Sequence, residues 1–491
     1  MASPVRTATK HSSRLLFKNP NPQLLFPTLD LKNPNPAHII NLLSDSFKTS
    51  PPSAQALTDF ISKSSDLKLS SKTLASMIHI SIHNRRVPDA QSLILRLIRR
   101  SGASRAEIVG SLIDSCADFG SNPSVFDLLV RTYVQARKVR EAAEAFRILK
   151  VRGVLVSVNA CNSLLAGLVR INWVDMAFEI YREVVEIGVG LNVYTLNIMV
   201  NALCKDGRLK DVDLFVVEME KRGTFPDLVT FNTWIDAYCR VGQLEKALGL
   251  MDLMNGKGLK PNVVTYNAVL NGFCRDRDFQ RAKELFSEMV GSGVVANTSS
   301  FNILLGGFCE DGNVREAVKI YDKMLRCNLV PDIVSFSSMI GLFSKKGDMN
   351  RALGYFREMK GFGLVPDSVI YTMLISGFCR NSMISEALKM RDDMVDHGCT
   401  PDVVTYNTIL NGLCKERRMS EADELFREMG ERGFPPDICS FTTLINGYCK
   451  NGNVGKALEL FGMMLERNLK PDVVTYNALI DGLCKDGDLE K

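Results

Sequence analysis

Residues 401–415, Pro401-Asp402-Val403-Val404-Thr405-Tyr406-Asn407-Thr408-Ile409-Leu410-Asn411-Gly412-Leu413-Cys414-Lys415, decide how this chain folds. Tyr406, Ile409, Leu410 and Leu413 recur at three- and four-residue intervals, the pattern of a helix with one apolar face. Val263–Arg275 and Val473–Lys485 repeat the stretch almost residue for residue. Downstream, Lys415-Glu416-Arg417-Arg418 breaks the apolar pattern, and Ala422, Leu425, Phe426 and Met429 set up a second helix. Gly433 can end that helix in a left-handed conformation, Pro436 blocks continuation, and Asp437 can cap the next helix. The unit reads as an αα-hairpin.

Working outward, Cys414 belongs to a series spaced 35 residues apart: Cys204, Cys239, Cys274, Cys309, Cys379, Cys414, Cys449 and Cys484, broken only at Ser344. Counting back from each mark, ten full units tile 123–472, and an eleventh begins at Val473 and is cut off at Lys491. That last unit, 473–491, reads as truncated, which suggests a longer array. A fixed period in this range marks a repeat array and overrides the multi-domain prior that 491 residues would carry. The expected fold is all-α, a solenoid of 35-residue αα-hairpins, with a right-handed superhelix taken over from known helical solenoids. Each hairpin has apolar surface left over, so stacking buries a continuous core.

The segment 30–122 is helical by pattern but off this register. Apolar periodicity runs through Ala37–Phe47, Ser53–Ser64 and Thr73–Ile82, and 66–122 reads as one or two degenerate hairpins capping the array. Net charge is +5, but Arg6, Lys10, Arg14 and Lys18 precede the first acid, Asp30, so only +1 remains for the rest. That near-neutral balance argues against non-specific, salt-driven nucleic-acid binding. The acid-free start, with Ser3, Ser12 and Ser13, has the composition of an organelle transit peptide over 1–29, for the mitochondrion first and the chloroplast as the alternative. No apolar run approaches the ~18 residues of a membrane span, so no membrane insertion is expected.

Chemistry is sparse. No C-x-x-C occurs, and cysteines one repeat apart read as reduced thiols acting as small apolar residues rather than disulfides or zinc ligands. His79 and His83 lie four apart on a helix without a third ligand nearby, and the H-x-E and P-C-x-x-C pairs of zinc deaminases are absent. No metal, no cofactor and no catalytic set is expected.

Two polar stripes do stand out. The fifth residue of each unit is small and polar: Asp127, Asn162, Asn197, Asn232, Asn267, Asn302, Ser337, Thr372, Asn407, Thr442 and Asn477. These types can reach a base edge with donors and acceptors, or serve as helix caps. The last residues are Ser157, Asn192, Asp227, Asn262, Asn297, Asp332, Asp367, Asp402, Asp437 and Asp472, for which capping is the simpler reading. Following each marker cysteine, or Val169 and Ser344 in its place, stand Arg170, Lys205, Arg240, Arg275, Lys345, Arg380, Lys415, Lys450 and Lys485, with Glu310 an exception. Such a ladder can position phosphates, or simply answer the negative end of each helix.

The string Pro401–Lys415 and its echoes strongly resemble the pentatricopeptide repeat, of the P class and plant organellar type. The Trp, Leu-Gly and Tyr pattern of the similarly sized tetratricopeptide unit is missing. The resemblance covers the ten full units and implies sequence-specific binding of single-stranded RNA, one nucleotide per repeat. It implies that the fifth and last residues of each unit read the base and that the second packs against it. In the family's pattern, Asn with Asp prefers U, Asn with Asn prefers C or U, and Thr or Ser with Asp prefers G. Units 158–472 would then read Y-U-Y-Y-U-G-G-U-G from the 5′ end, with no base assigned to Asp127/Ser157. The implied role is in organellar RNA metabolism, with room for protein partners of an RNA-processing complex. A protein-interaction scaffold is the alternative.

Overall fold

The computed structural model describes residues 36–63, 69–99, 104–120 and 122–486. They form 26 helices and no strand. Residues 1–29, where a transit peptide is expected, and the last residues of the eleventh unit lie outside the described residues. The chain divides into two compact units, Met1–Ala237 and Tyr238–Lys491. Both are stacks of αα-hairpins.

In the C-terminal unit, first helices such as Val263–Arg275, Ile333–Lys346, Val403–Lys415 and Ile438–Lys450 each pack on their own second helix and on the first helix of the next hairpin. The apolar face at 403–415 faces inward as its periodicity predicts: Tyr406, Ile409 and Leu410 are fully buried. Two left-handed residues turn the chain in each hairpin. At the first turn Arg417 adopts φ 59°, where the sister hairpin has Gly207 at φ 75°. At the second, Gly433 has φ 85°, a conformation that glycine adopts without steric cost.

The cysteine grid is a packing device. Cys239, Cys274, Cys379, Cys414 and Cys449 each lie against a glycine of the next first helix. A Cβ on Gly447 would sit 2.7 Å from Cys414 Sγ and 2.9 Å from Cys414 Cβ, and one on Gly307 would sit 2.9 Å from both atoms of Cys274. Glycine brings the helices together and the small thiol fills what remains. Burial pushes the thiols of Cys274, Cys309 and Cys414 up to about 12, so they stay protonated and are poor nucleophiles or metal ligands.

The N-terminal unit holds the same hairpins from Ser124–Gln135 onward, preceded by a variant arrangement. Pro36–Thr49 with Pro51–Lys63, and Ser71–His83 with Val87–Arg99, are two hairpins whose first helices start 35 residues apart. Arg105–Phe119 then stands alone, packed on Ser71–His83 and on Val139–Val151. One helix in place of two shifts the phase, which is why 30–122 falls off the cysteine grid. Among the described residues of 66–122 there is thus one hairpin and one single helix. The second helix begins at Pro51 rather than Ser53, because a first-turn proline lacks only an N–H that would have no helical partner. Among the described residues no helix is long and apolar enough to cross a membrane.

Candidate nucleic-acid interface

The start of each first helix carries the sequence's polar stripes. Asp437 is an N-cap, with extended backbone, and accepts from the Ser440 amide at 2.8 Å, while the Ser440 hydroxyl accepts from the Asp437 amide. Asn192, Asn262, Asn297, Asp332, Asp367 and Asp402 cap their helices likewise. Capping is therefore one role of the last position.

It is not the only one. Asn407 Nδ2 donates to Asp437 Oδ1 at 3.1 Å, Asn302 Nδ2 to both Asp332 oxygens at 2.9 and 3.0 Å, and Asn197 Nδ2 to Asp227 at 3.2 Å. Asn162 Nδ2 reaches Asn192 Oδ1 at 3.1 Å. The fifth residue of one repeat and the last residue of that repeat, 30 positions on, are thus joined across neighbouring first helices. Asp127 departs from this arrangement and accepts from the Ser157 amide at 2.8 Å. Asn232 and Asn267, at the fifth position, and Asn262, at the last, are half-buried, and Asn477 is exposed.

A third member escaped the sequence reading. The hydroxyl at the third position of the following repeat donates to the fifth-residue amide oxygen: Ser440 to Asn407 and Ser335 to Asn302 at 2.6 Å, Thr195 to Asn162 at 2.8 Å, and Thr230 to Asn197. Each carboxamide is held with nitrogen toward the last-position side chain, an acid except at Asn192, and oxygen toward the hydroxyl. One N–H and one lone pair remain free to face outward. Where the fifth residue is Thr, two hydroxyls meet instead: Thr372 with Thr405 at 2.9 Å, and Thr442 with Thr475 at 2.7 Å. The sequence signal is a Ser or Thr three residues after most of these caps, Asp367 with Ile370 being an exception, which reads as half of a capping box.

Around these pairs lie two further stripes. The second residue of each repeat is a solvent-facing valine in most cases, including Val229, Val264, Val334, Val369 and Val404, all more than half exposed. The basic residues Arg170, Lys205, Arg240, Arg275, Lys345, Arg380, Lys415, Lys450 and Lys485 are all exposed. Of these, Lys485 pairs with Asp481 at 2.6 Å. In the C-terminal unit the stripes converge on one surface. A groove of about 590 Å³ is walled by Val369 and Val404, Ser337 and Thr372, Asp402, and Lys345 and Arg380. The neighbouring one, about 550 Å³, uses Val404, Asn407, Asp437, Arg380 and Lys415. Each groove therefore offers an apolar surface, an oriented polar pair and a cation.

Two of these acids, Asp437 and Asp472, are held below the ordinary carboxylate value. Partial burial raises the Asp437 carboxyl, but hydrogen bonds from the Ser440 amide and Asn407 outweigh it and keep it below the ordinary carboxylate value. The Thr475 amide and hydroxyl lower Asp472 in the same way. Among the described residues, no three His, Cys, Asp or Glu side chains are grouped to hold a metal ion.

Comparison with known proteins places these repeats. The PPR repeat family matches residues 156–205, 192–240, 226–275, 261–310, 296–345, 366–415, 401–450 and 436–485, and a single PPR repeat matches 334–364. A pentatricopeptide repeat-containing protein of Arabidopsis thaliana is 55% identical over 125 residues, which is 26% of this chain and 17% of that protein. A mitochondrial pentatricopeptide repeat-containing protein of the same plant is 30% identical over 212 residues, 39% of this chain and 32% of its own length. The chain thus spans under a third of either relative. The crystal structure of the pentatricopeptide repeat protein PPR10 from maize shares the fold, with a TM-score of 0.50 at 23% identity, covering 93% of this chain and 78% of that one. A structure of PPR10 in complex with an 18-nt psaJ RNA element superposes with a TM-score of 0.51 at 20% identity, over 97% and 88%. With matches over more than half its length, falling on the αα-hairpins from residue 156 onward, the chain belongs to the pentatricopeptide repeat family.

Proposed function

We propose that this protein binds single-stranded RNA in a sequence-specific manner, one nucleotide per repeat, and acts without catalysis in organellar RNA metabolism. The observation that carries this reading is the recurring groove with its exposed valine, oriented polar pair and cation. A base has an apolar face, a hydrogen-bonding edge and an attached phosphate, and the groove has a counterpart for each. The free N–H and lone pair of a held Asn complement an oxygen and the N3–H of uracil. An ionised Asp beside a hydroxyl accepts from the N1–H and amino group of guanine. The pairs from Asn162/Asn192 to Thr442/Asp472 then read Y-U-Y-Y-U-G-G-U-G.

Family membership supports RNA as the ligand, as does the complex of PPR10 with an RNA element. Relatives named mitochondrial favour the mitochondrion over the chloroplast. Occupancy of about ten nucleotides, following from one per repeat, would block an exonuclease, open a structured segment or hold an intron in a competent form. In vitro RNA selection on the full chain tests the reading. The wild type should enrich the predicted string, and Thr372→Asn should move that position from G towards U. A selection with no preferred string, or one unmoved by Thr372→Asn, overturns it, and capture of a peptide without RNA preference would indicate a scaffold.

A further inference from the structure

Three repeats carry a hydroxyl at the fifth position with Asp at the last, so a two-residue reading treats Ser337, Thr372 and Thr442 alike. Their surroundings differ. Thr372 meets the Thr405 hydroxyl at 2.9 Å, and Thr405 donates to Asp402 Oδ1 at 2.8 Å. Thr442, Thr475 and Asp472 form the same relay at 2.7 and 2.8 Å. At Ser337 the corresponding third residue is Ile370, fully buried and without a polar side-chain atom. The Ser337 hydroxyl has only the Met373 sulfur, 3.8 Å away, and a thioether is a weak acceptor.

A hydroxyl has a single proton, so the relay can be followed atom by atom. Thr405 is free to commit its proton to the carboxylate, a charge-assisted bond, because Thr372, unlike the amide oxygen of an asparagine, carries a proton of its own for the contact between the two hydroxyls. Thr372 must then send its own proton inward, to Thr405 or to the Ser368 carbonyl at 2.8 Å. Its outward face is left as a fixed acceptor, suited to the N–H groups of a guanine edge. Ser337 has no strong inward acceptor, so its hydroxyl rotates and can donate to one base or accept from another.

We propose that the third-position hydroxyl of the following repeat is a positioning residue for base discrimination, and that Ile370 makes the nucleotide at Ser337 the least discriminated of the three. Thr405 and Thr475 fix the hydroxyl readers, while Thr195, Ser335 and Ser440 fix the carboxamides Asn162, Asn302 and Asn407. This rests on the base-reading function proposed above.

The test uses the full chain and two sets of four RNAs, one varied only opposite Ser337 and the other only opposite Thr372. The wild type should favour G by about tenfold at Thr372 and by only about threefold at Ser337, the range that one added hydrogen bond spans. Ile370→Thr should bring the Ser337 position up to the Thr372 ratio; the site accepts Thr, since Thr405 is itself fully buried there. Thr405→Val should flatten preference opposite Thr372 alone, and Thr405→Ser should restore it. A purely structural role would change affinity for all four bases together, leaving the ratios as they were. Equal wild-type ratios at the two positions, or ratios unmoved by both Ile370→Thr and Thr405→Val, overturn the proposal while leaving base reading intact. No base preference at either position would instead sink base reading itself, and this proposal with it.

Discussion

The hairpins before residue 120 and those after it share a fold but differ where the grooves form. Ser70 and Ser104 cap Ser71–His83 and Arg105–Phe119 with side-chain bonds of 3.1 Å to the amides of Thr73 and Glu107. Asp437 and its equivalents make the same bond. Yet five residues into the first helices, Pro36–Thr49 has Ile40 and Ser71–His83 has Ala75, where the array has Asn, Asp, Ser or Thr. Capping is thus common to both regions, because every helix start leaves amide protons without partners. A polar fifth residue is not, so stacking does not require it. The close approach of first helices also belongs to the array: Ser71–His83 has Ile80 and Ile82 where the array commonly has glycine and cysteine.

The largest effect should come from breaking that close approach. Gly447→Val drives a branched side chain into Cys414, and overpacking of this kind costs about 2–3 kcal/mol. Ala202 and Ala237 occupy the matching position in two other repeats, so valine rather than alanine is the decisive change. On the single helix, a Cβ added to Gly110 would meet no atom within 4 Å, and Gly110→Ala should stabilise by roughly 0.5–1 kcal/mol. Urea denaturation of both variants checks the pair; a Gly447→Val protein as stable as wild type would show that the contact yields easily.

A smaller effect, on binding rather than folding, is expected when the array borrows a residue from the N-terminal hairpins. Asn407→Ala copies Ala75. Stability should move by less than about 1 kcal/mol, since alanine's helix propensity offsets part of the lost hydrogen bond. Affinity for RNA carrying the predicted string should fall about tenfold, with selectivity lost only at that nucleotide. Unfolding of this variant would mean that the polar fifth residue is structural after all.

The smallest effect separates the two kinds of cap. Ser70→Ala and Asp437→Ala should each cost about 1 kcal/mol at neutral pH. Only the second depends on pH. The folded Asp437 carboxyl lies below its ordinary value, so its contribution is complete above the unfolded carboxylate pKa and disappears as pH falls through the folded one. Urea titrations at neutral and acidic pH should therefore show the Asp437→Ala penalty shrinking in acid while the Ser70→Ala penalty stays constant.

Much of this was legible in the chain itself. The helix faces at 403–415 and 419–431, the turn at Gly433 and the cap at Asp437 all follow from local rules of period, left-handed backbone and capping. The single helix at 105–119 was not, because its apolar pattern looks like any other and only its lack of a hairpin partner sets it apart. The cysteines read as small apolar residues and pack as such, but the glycine that Cys414 meets was not legible, since Gly447 lies 33 residues further on.

By itself, then, the sequence determined the repeat period, the hairpin and the residue types available at each position, because helix formation and capping are settled within a few residues. Only the tertiary structure decided what Ser440 does. In the sequence it is the third residue of a capped helix; in the stack it also holds Asn407, 33 residues earlier, at 2.6 Å. That distance is set by how one hairpin rests on the next, and Ile370, which reads locally as an ordinary apolar helix residue, leaves Ser337 without such a partner for the same reason.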